Sequence, residues 1–206
     1  MFPTKEGINL LAFHGFEWQV SMYMSRETPQ AAFDHAQAAM RRGDLLDVLT
    51  CLDVSDLKRI AANAIALALG THVDDAAQEV RRICDEHHFP IENLLSARRR
   101  VLQSPGMEAT MNQRDTMKHG LAAVSNLPEF LAALEGYARR VNGSGSLSTQ
   151  LFQNETLTDV EVDGSRAWGT RLHGRESSDV VEFVRRKGQW YVKLIAHRRP
   201  GHPAQV

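Results

Sequence analysis

The chain has 206 residues, 43% of them hydrophobic and 24% charged, with a formal net charge of -1. That is enough apolar material for one ordinary core without metal or disulfide staples, and the near-neutral charge gives no general attraction for nucleic acid or an anionic membrane. Its two cysteines, Cys51 and Cys84, both fall inside apolar helical patterns and are expected to be buried thiols in a reducing, cytoplasmic compartment.

The first apolar patch, Ile8 to Phe16, contains His14, follows Glu6 and is too short for a signal peptide or a membrane span. Met24 begins a second, more conventional opening directly before the first helix. Residues 1–23 are therefore expected to be an appendage, residues 24–200 one α+β domain, and residues 201–206 a tail.

Thr28-Pro29 sets an N-cap before a proline at the first helical position, and Phe33, Ala36 and Met40 recur at helical spacing until Gly43. Asp44 to Leu52 predicts a second, short helix. Asp53-Val54-Ser55-Asp56 then supplies capping side chains for a long apolar helix through Leu57, Ile60, Ala61, Ala64, Ile65, Ala68 and Leu69, closed by Gly70. A fourth helix is expected from Asp74 to about His87. From His88 to Ser125, Pro90, Pro105 and Gly106 interrupt apolar patches such as Leu94-Leu95 and Val101-Leu102, a pattern that reads as short helices and loop. Asn126 and Glu129 have capping-box spacing and open a helix through Phe130, Leu131, Leu134 and Tyr137 to Val141; Asn142 to Ser146 is a flexible joint.

Beyond the joint the period changes to two. Val160-Glu161-Val162 runs into Asp163-Gly164 and Ser165 to Leu172 runs away from it, a hairpin signal that pairs Val162 with Ser165, Glu161 with Arg166, Val160 with Ala167 and Asp159 with Trp168. The polar segment His173 to Ser178 is the middle turn. Val180 to Arg186 then turns at Lys187-Gly188 into Gln189 to Ile195. This register sets Arg185 opposite Trp190, Phe183 opposite Val192 and Val181 opposite Leu194 on one face. On the other it sets Glu182 opposite Lys193, Val184 opposite Tyr191 and Val180 opposite Ile195. The first set is almost wholly apolar and must be covered, whereas the second is mixed and suits a surface shared with another protein.

Thr28-Pro29-Gln30-Ala31-Ala32-Phe33, Arg42-Gly43-Asp44 and Cys51-Leu52-Asp53, followed by the terminal run Val181 to Leu194, resemble the nuclear-transport-factor-2-like superfamily over residues 26–56 and 155–195. The resemblance implies an α+β cone in which N-terminal helices pack on a curved antiparallel sheet. That superfamily includes ketosteroid-isomerase-like and polyketide-cyclase-like enzymes beside many non-enzymatic members, and commonly dimerises through its outer sheet face. Residues 72–125 carry more helix than a minimal cone and are read as an insertion that lines, lids or blocks its mouth.

Ketosteroid-isomerase-like relatives use a tyrosine on the helical part and carboxylic acids in an apolar pocket. None of Tyr23, Tyr137 and Tyr191 lies in the first helix, and no acid falls at an equivalent place by motif. Asp159 and Glu161 share a face with Arg166 and Trp168 in the derived register and are the weak catalytic candidates. A cross-strand Glu161–Arg166 ion pair worth about 0.2–1 kcal/mol is the commoner meaning of such a face. None of the nine histidines lies four residues from another, and the adjacent His87 and His88 point about 100° apart on a helix, so no metal site is expected. Phosphate-cradling loops, nucleophile elbows and a Cys-His signature are missing, and no cofactor is expected. Phe33, Trp168, Phe183 and Trp190 are assigned to the core first and to a ligand pocket second. Arg98-Arg99-Arg100 and His197-Arg198-Arg199 are read first as solvated charge and second as contacts for an acidic partner.

The expected function is a non-catalytic, cytoplasmic protein-binding domain, an immunity- or antitoxin-type inhibitor or a regulatory adaptor. Its interface with a partner or a second copy is placed on Val180, Val184, Tyr191 and Ile195, with Arg98, Arg99 and Arg100 as a second contact. The competing expectation is a small-molecule isomerase, cyclase or hydratase with a carboxylate base inside the cone.

Overall fold

The computed structural model describes residues 26–70, 74–143, 152–174 and 177–194. Thr28 caps α1 (Pro29–Arg41), its Oγ1 accepting from Ala31 N at 3.1 Å, and Gly43 at φ +70° reverses the chain into α2 (Leu45–Thr50). Asp44 caps α2 by accepting from Asp47 N at 3.0 Å. The long helix α3 (Val54–Gly70) and α4 (Asp74–Glu86) follow as the periodicity predicts. Asn126 accepts from Glu129 N at 3.4 Å at the start of α7 (Leu127–Asn142), which Gly143 ends at φ +71°. Between α4 and α7 the structure departs from the expectation of short helices and loop. It has two full helices, α5 (Ile91–Gln103) and α6 (Met107–Ala123), packed on one another. Pro90 sits at the N-cap of α5, where a proline starts a helix without breaking it, and Pro105-Gly106 lies in the connection between the two. Only Gly120 and Leu121 of α6 are buried, so its apolar periodicity is too faint to read.

Four strands, β1 (Glu155–Asp163), β2 (Arg166–His173), β3 (Ser177–Arg186) and β4 (Gln189–Lys193), form an antiparallel meander in that order. The β3–β4 register agrees with the derived one at Glu182–Lys193, Phe183–Val192, Val184–Tyr191 and Arg185–Trp190. Lys187 and Gly188 both have positive φ, the turn that closes a two-residue hairpin with the right twist. Pairing ends at Lys193, so Leu194 has no partner in the ladder, and Ile195 lies outside the described residues. Strand β3 begins at Ser177, earlier than the sequence pattern placed it.

The β1–β2 register is corrected. Asp163 pairs with Arg166, Val162 with Ala167 and Glu161 with Trp168, because the turn is Gly164-Ser165, with positive φ at the glycine alone. A bulge then places Asp159 and Val160 opposite Gly169, and the register resumes at Thr158–Thr170. Gly169 is needed there: a Cβ would lie 2.7 Å from Leu157 Cδ1 and 3.3 Å from Val160 Cγ2.

One core joins the helices to a single face of the sheet. Phe33 and Ala36 of α1, Ile65 of α3 and Phe130 of α7 share it with Ala167, Val181, Phe183, Trp190 and Val192. Phe152, just ahead of β1, meets Phe33 edge-on at 5.8 Å. The outer edge of β4 is covered rather than open: Trp190 N donates to Arg26 O, Val192 N to Cys51 O and Asp53 N to Val192 O, at 2.8–2.9 Å. The segment from α4 to α6 is anchored where Phe89 stacks on Phe130 at 5.8 Å beneath Gly120. A Cβ on Gly120 would stand 2.7 Å from the Phe89 ring. Gly120→Ala gains up to about 1 kcal/mol of helix propensity, but a buried ring held by stacking cannot yield that space. A net loss of about 1–2 kcal/mol in urea unfolding is expected, and a stabilised variant would show that α6 is loosely docked.

Candidate functional site

Among the described residues, four places concentrate polar chemistry or exposed apolar surface: the outer sheet face, the end of the inner sheet face, the α1–α2 junction and a groove between α3 and α6.

On the outer face Val184 and Tyr191 are half-buried and Val180 is exposed. The Arg26 guanidinium lies 4.7 Å from the centre of the Tyr191 ring, so part of that ring is engaged within the chain. Glu182 is fully buried on the same face, 3.7 Å from Arg166 Nη1 and 3.9 Å from Lys193 Nζ. Trp168 is also buried there, outside the core that holds Phe33, Phe183 and Trp190. Glu161 stands opposite Trp168, whereas Asp159 occupies the bulge at φ +51°, exposed. The pairing of Glu161 with Arg166 expected from the sequence therefore does not form across the ladder. The Arg98–Arg100 run also divides. Arg98 donates to Leu69 O at 2.7 Å in the last turn of α3, Arg100 reaches Asn112 Oδ1 at 3.4 Å, and Arg99 is exposed.

The inner face ends in a ring of four ionisable residues that local motifs do not reveal. Glu155, buried, lies 3.2 Å from His173 Nδ1 and 3.6 Å from Arg171 Nη1. His173 Nε2 and Arg171 Nε reach Asp179 at 3.2 and 2.8 Å. Burial pushes the Glu155 carboxyl up, against the pull of Arg171 and His173, while the hydrogen bond from Arg171 holds Asp179 below the usual aspartate range. Gln37 of α1 donates to Glu155 O at 2.6 Å, which ties the ring to the first helix. Strand alternation with Leu157 places Glu155 on the inner face; its partners come from β2 and β3 and are invisible to local spacing.

At the α1–α2 junction His35 Nε2 lies 2.8 and 3.0 Å from the two Asp47 oxygens, and Cys51 Sγ donates to Asp47 O at 3.3 Å. Burial pushes the Cys51 thiol up to about 11, and His35 addresses the carboxylate, so this is not an activated nucleophile.

The groove between α3 and α6 encloses about 460 Å³. Ala62, Met117 and Leu121 supply apolar lining, and four cations, Lys58, Arg59, Arg114 and Lys118, stand around them with no carboxylate in the lining. Arg59 is partly neutralised by Asp56 at 3.1 Å. Met107, Met111, Arg114 and Lys118 follow one another at helical spacing, so they form a stripe along α6, and Met107 and Met111 are 81% and 56% exposed. The spacing of that stripe was readable, but only once a helix was assigned over 107–123.

Among the described residues no helix is long and apolar enough to cross a membrane. No protein-family model, curated protein or solved structure matches the chain.

Proposed function

We propose that this chain is a non-catalytic protein-binding domain, a regulatory adaptor or an inhibitor of the immunity or antitoxin kind, built as a cone-type member of the nuclear-transport-factor-2-like superfamily. The observation that supports this reading is the α3–α6 groove: an apolar lining with four cations and no acid among the residues that line it, and exposed Met107 and Met111 farther along the same stripe of α6. Methionine side chains adapt to varied apolar partners, and a one-signed rim steers and orients an oppositely charged one. The groove thus suits an acidic amphipathic helix, apolar residues on one face and carboxylates on its flanks. This moves the principal interface from the outer sheet face, where Tyr191 is engaged by Arg26, to the groove between α3 and α6. The competing enzymatic reading has its best-placed buried carboxylate in Glu155, but that group lies 3.2 Å from His173 and 3.6 Å from Arg171 at the end of the sheet, which favours a structural ring.

Arg114→Glu with Lys118→Glu should weaken a captured partner about a hundredfold, the effect of roughly 3 kcal/mol from two reversed rim charges, while the melting temperature stays nearly unchanged. Tyr191→Glu with Val184→Glu should leave capture intact. Quantitative pull-down and titration at low and high salt check this, and loss of binding in the sheet variant alone would return the interface to the outer face.

A further inference from the structure

His35, Asp47 and Cys51 come from two helices held side by side by the turn at Gly43. Asp47 in the first turn of α2 and Cys51 at its C-cap are four residues apart and emerge on one face; His35 meets them from α1. Their donor atoms all lie within 4.8 Å of one another. In a tetrahedral zinc site with bonds of about 2.0–2.3 Å, donors stand roughly 3.3–3.6 Å apart, so shifts of about an ångström bring these three together. The cluster is enclosed as well as convergent. Cys51 is fully buried, and the His35 and Asp47 side chains are only 13% and 27% exposed.

We propose that His35, Asp47 and Cys51 form a zinc-type metal site that ties α1 to α2. Thiolate, imidazole and one carboxylate suit Zn²⁺ or Co²⁺ and disfavour Mg²⁺ and Ca²⁺, which select oxygen donors, and three protein ligands leave a fourth position for water. On binding, the Cys51 proton passes to solvent, the Sγ hydrogen bond to Asp47 O is given up, and a metal–sulfur bond takes its place. His35 Nε2 gives up the proton it holds toward Asp47, so that its lone pair meets the metal while Nδ1 carries the ring N–H. The metal must also displace Arg42, whose Nη2 lies 2.7 Å from Asp47 Oδ2. Arg42 is therefore a competitor for the site. Because Cys51 O accepts from Val192 N at 2.9 Å, the loaded site would also anchor the edge of β4.

The test is titration of the full chain with Co²⁺ in a non-thiol reductant, followed by absorption. One equivalent should give a near-ultraviolet thiolate-to-metal band and the intense visible bands of tetrahedral cobalt, discharged by Zn²⁺ and unaffected by Mg²⁺. Cys51→Ser should abolish the near-ultraviolet band, Cys84→Ser should leave it, and His35→Ala should weaken binding at least about tenfold. Arg42→Ala should tighten it, which a merely structural ion pair would not do. Zinc should raise the melting temperature of the wild type but not of Cys51→Ser. If Cys51→Ser fails to fold without metal, Asp47→Asn and Arg42→Ala decide the matter by moving affinity in opposite directions. An octahedral aqueous cobalt spectrum in the wild type, or a band that survives Cys51→Ser, overturns the site. None of these outcomes depends on the α3–α6 groove.

Discussion

Trp190→Ala should lower the unfolding free energy by about 3–5 kcal/mol, the cost of truncating a core aromatic. Trp190 is only 3% exposed and belongs to the cluster that joins α1, α3 and α7 to the sheet, while its backbone N–H donates to Arg26 O at the covered edge of β4. The substitution keeps that hydrogen bond and removes the indole, so the loss reports packing together with the contact of the Arg185 guanidinium 6.0 Å from the ring centre. Gln189→Ala, one residue earlier, is the control. Its side chain is exposed and accepts one hydrogen bond from Arg26 at 2.9 Å, and a loss of roughly 0.5–1 kcal/mol is expected. Urea titration at constant m separates the pair. Similar small losses at both positions would mean that the inner face of the last hairpin is not the core face.

That contrast was available from sequence because Lys187-Gly188 forms the turn its composition demands, and every side chain of β3 and β4 follows from it. The first hairpin shows where the same reasoning stops. Asp163-Gly164 and Gly164-Ser165 are both acceptable two-residue turns, and the choice between them moves each partner on β2 by two residues, from Ser165 to Ala167 for Val162. The bulge at Asp159-Val160, opposite Gly169, then takes up one residue, so that Thr158 pairs with Thr170. Helices with strong caps and apolar stripes were legible; α6 was not, because it buries only Gly120 and Leu121. The same limit applies to function. Asp47 and Cys51 have a visible spacing of four, but His35 joins them only through the Gly43 turn, and Glu155 meets Arg171, His173 and Asp179 only through strand pairing. Sites assembled across elements leave no local trace.

The second large effect is expected at Asp53, which links the start of α3 to the end of the sheet. Its buried carboxylate accepts from Ser55 N at 3.0 Å, from Ser55 Oγ and from Arg186 Nε at 2.9 Å. These bonds satisfy an N-terminal donor of α3 and hold the Arg186 guanidinium against it. Asp53→Ala should cost about 2–3 kcal/mol: a lost cap plus a charged hydrogen bond whose other half, Arg186, is 53% exposed and can return to water. Asp53→Asn retains an acceptor for the cap and should fall between wild type and alanine.

The pH dependence gives the sharper check. Burial alone would raise the Asp53 carboxyl, but the hydrogen bonds from Ser55 and Arg186 prevail and hold it below the usual aspartate range. A group lowered in the folded state contributes stability that is fully present above its unfolded pKa, about 3.9, and is lost as pH falls through the folded value. The stability gap between wild type and Asp53→Asn should therefore stay constant from pH 7 to about 5 and close below about pH 4. Glu155 has the opposite sign. Its raised carboxyl favours the folded state as pH falls, and it contributes equally to both proteins, so it cancels from the difference. Denaturant midpoints for the pair across that range measure the gap directly. A gap that persists undiminished at pH 3 would mean that Asp53 acts as a neutral spacer between α3 and β4, and that the Arg186 pair adds nothing to the join.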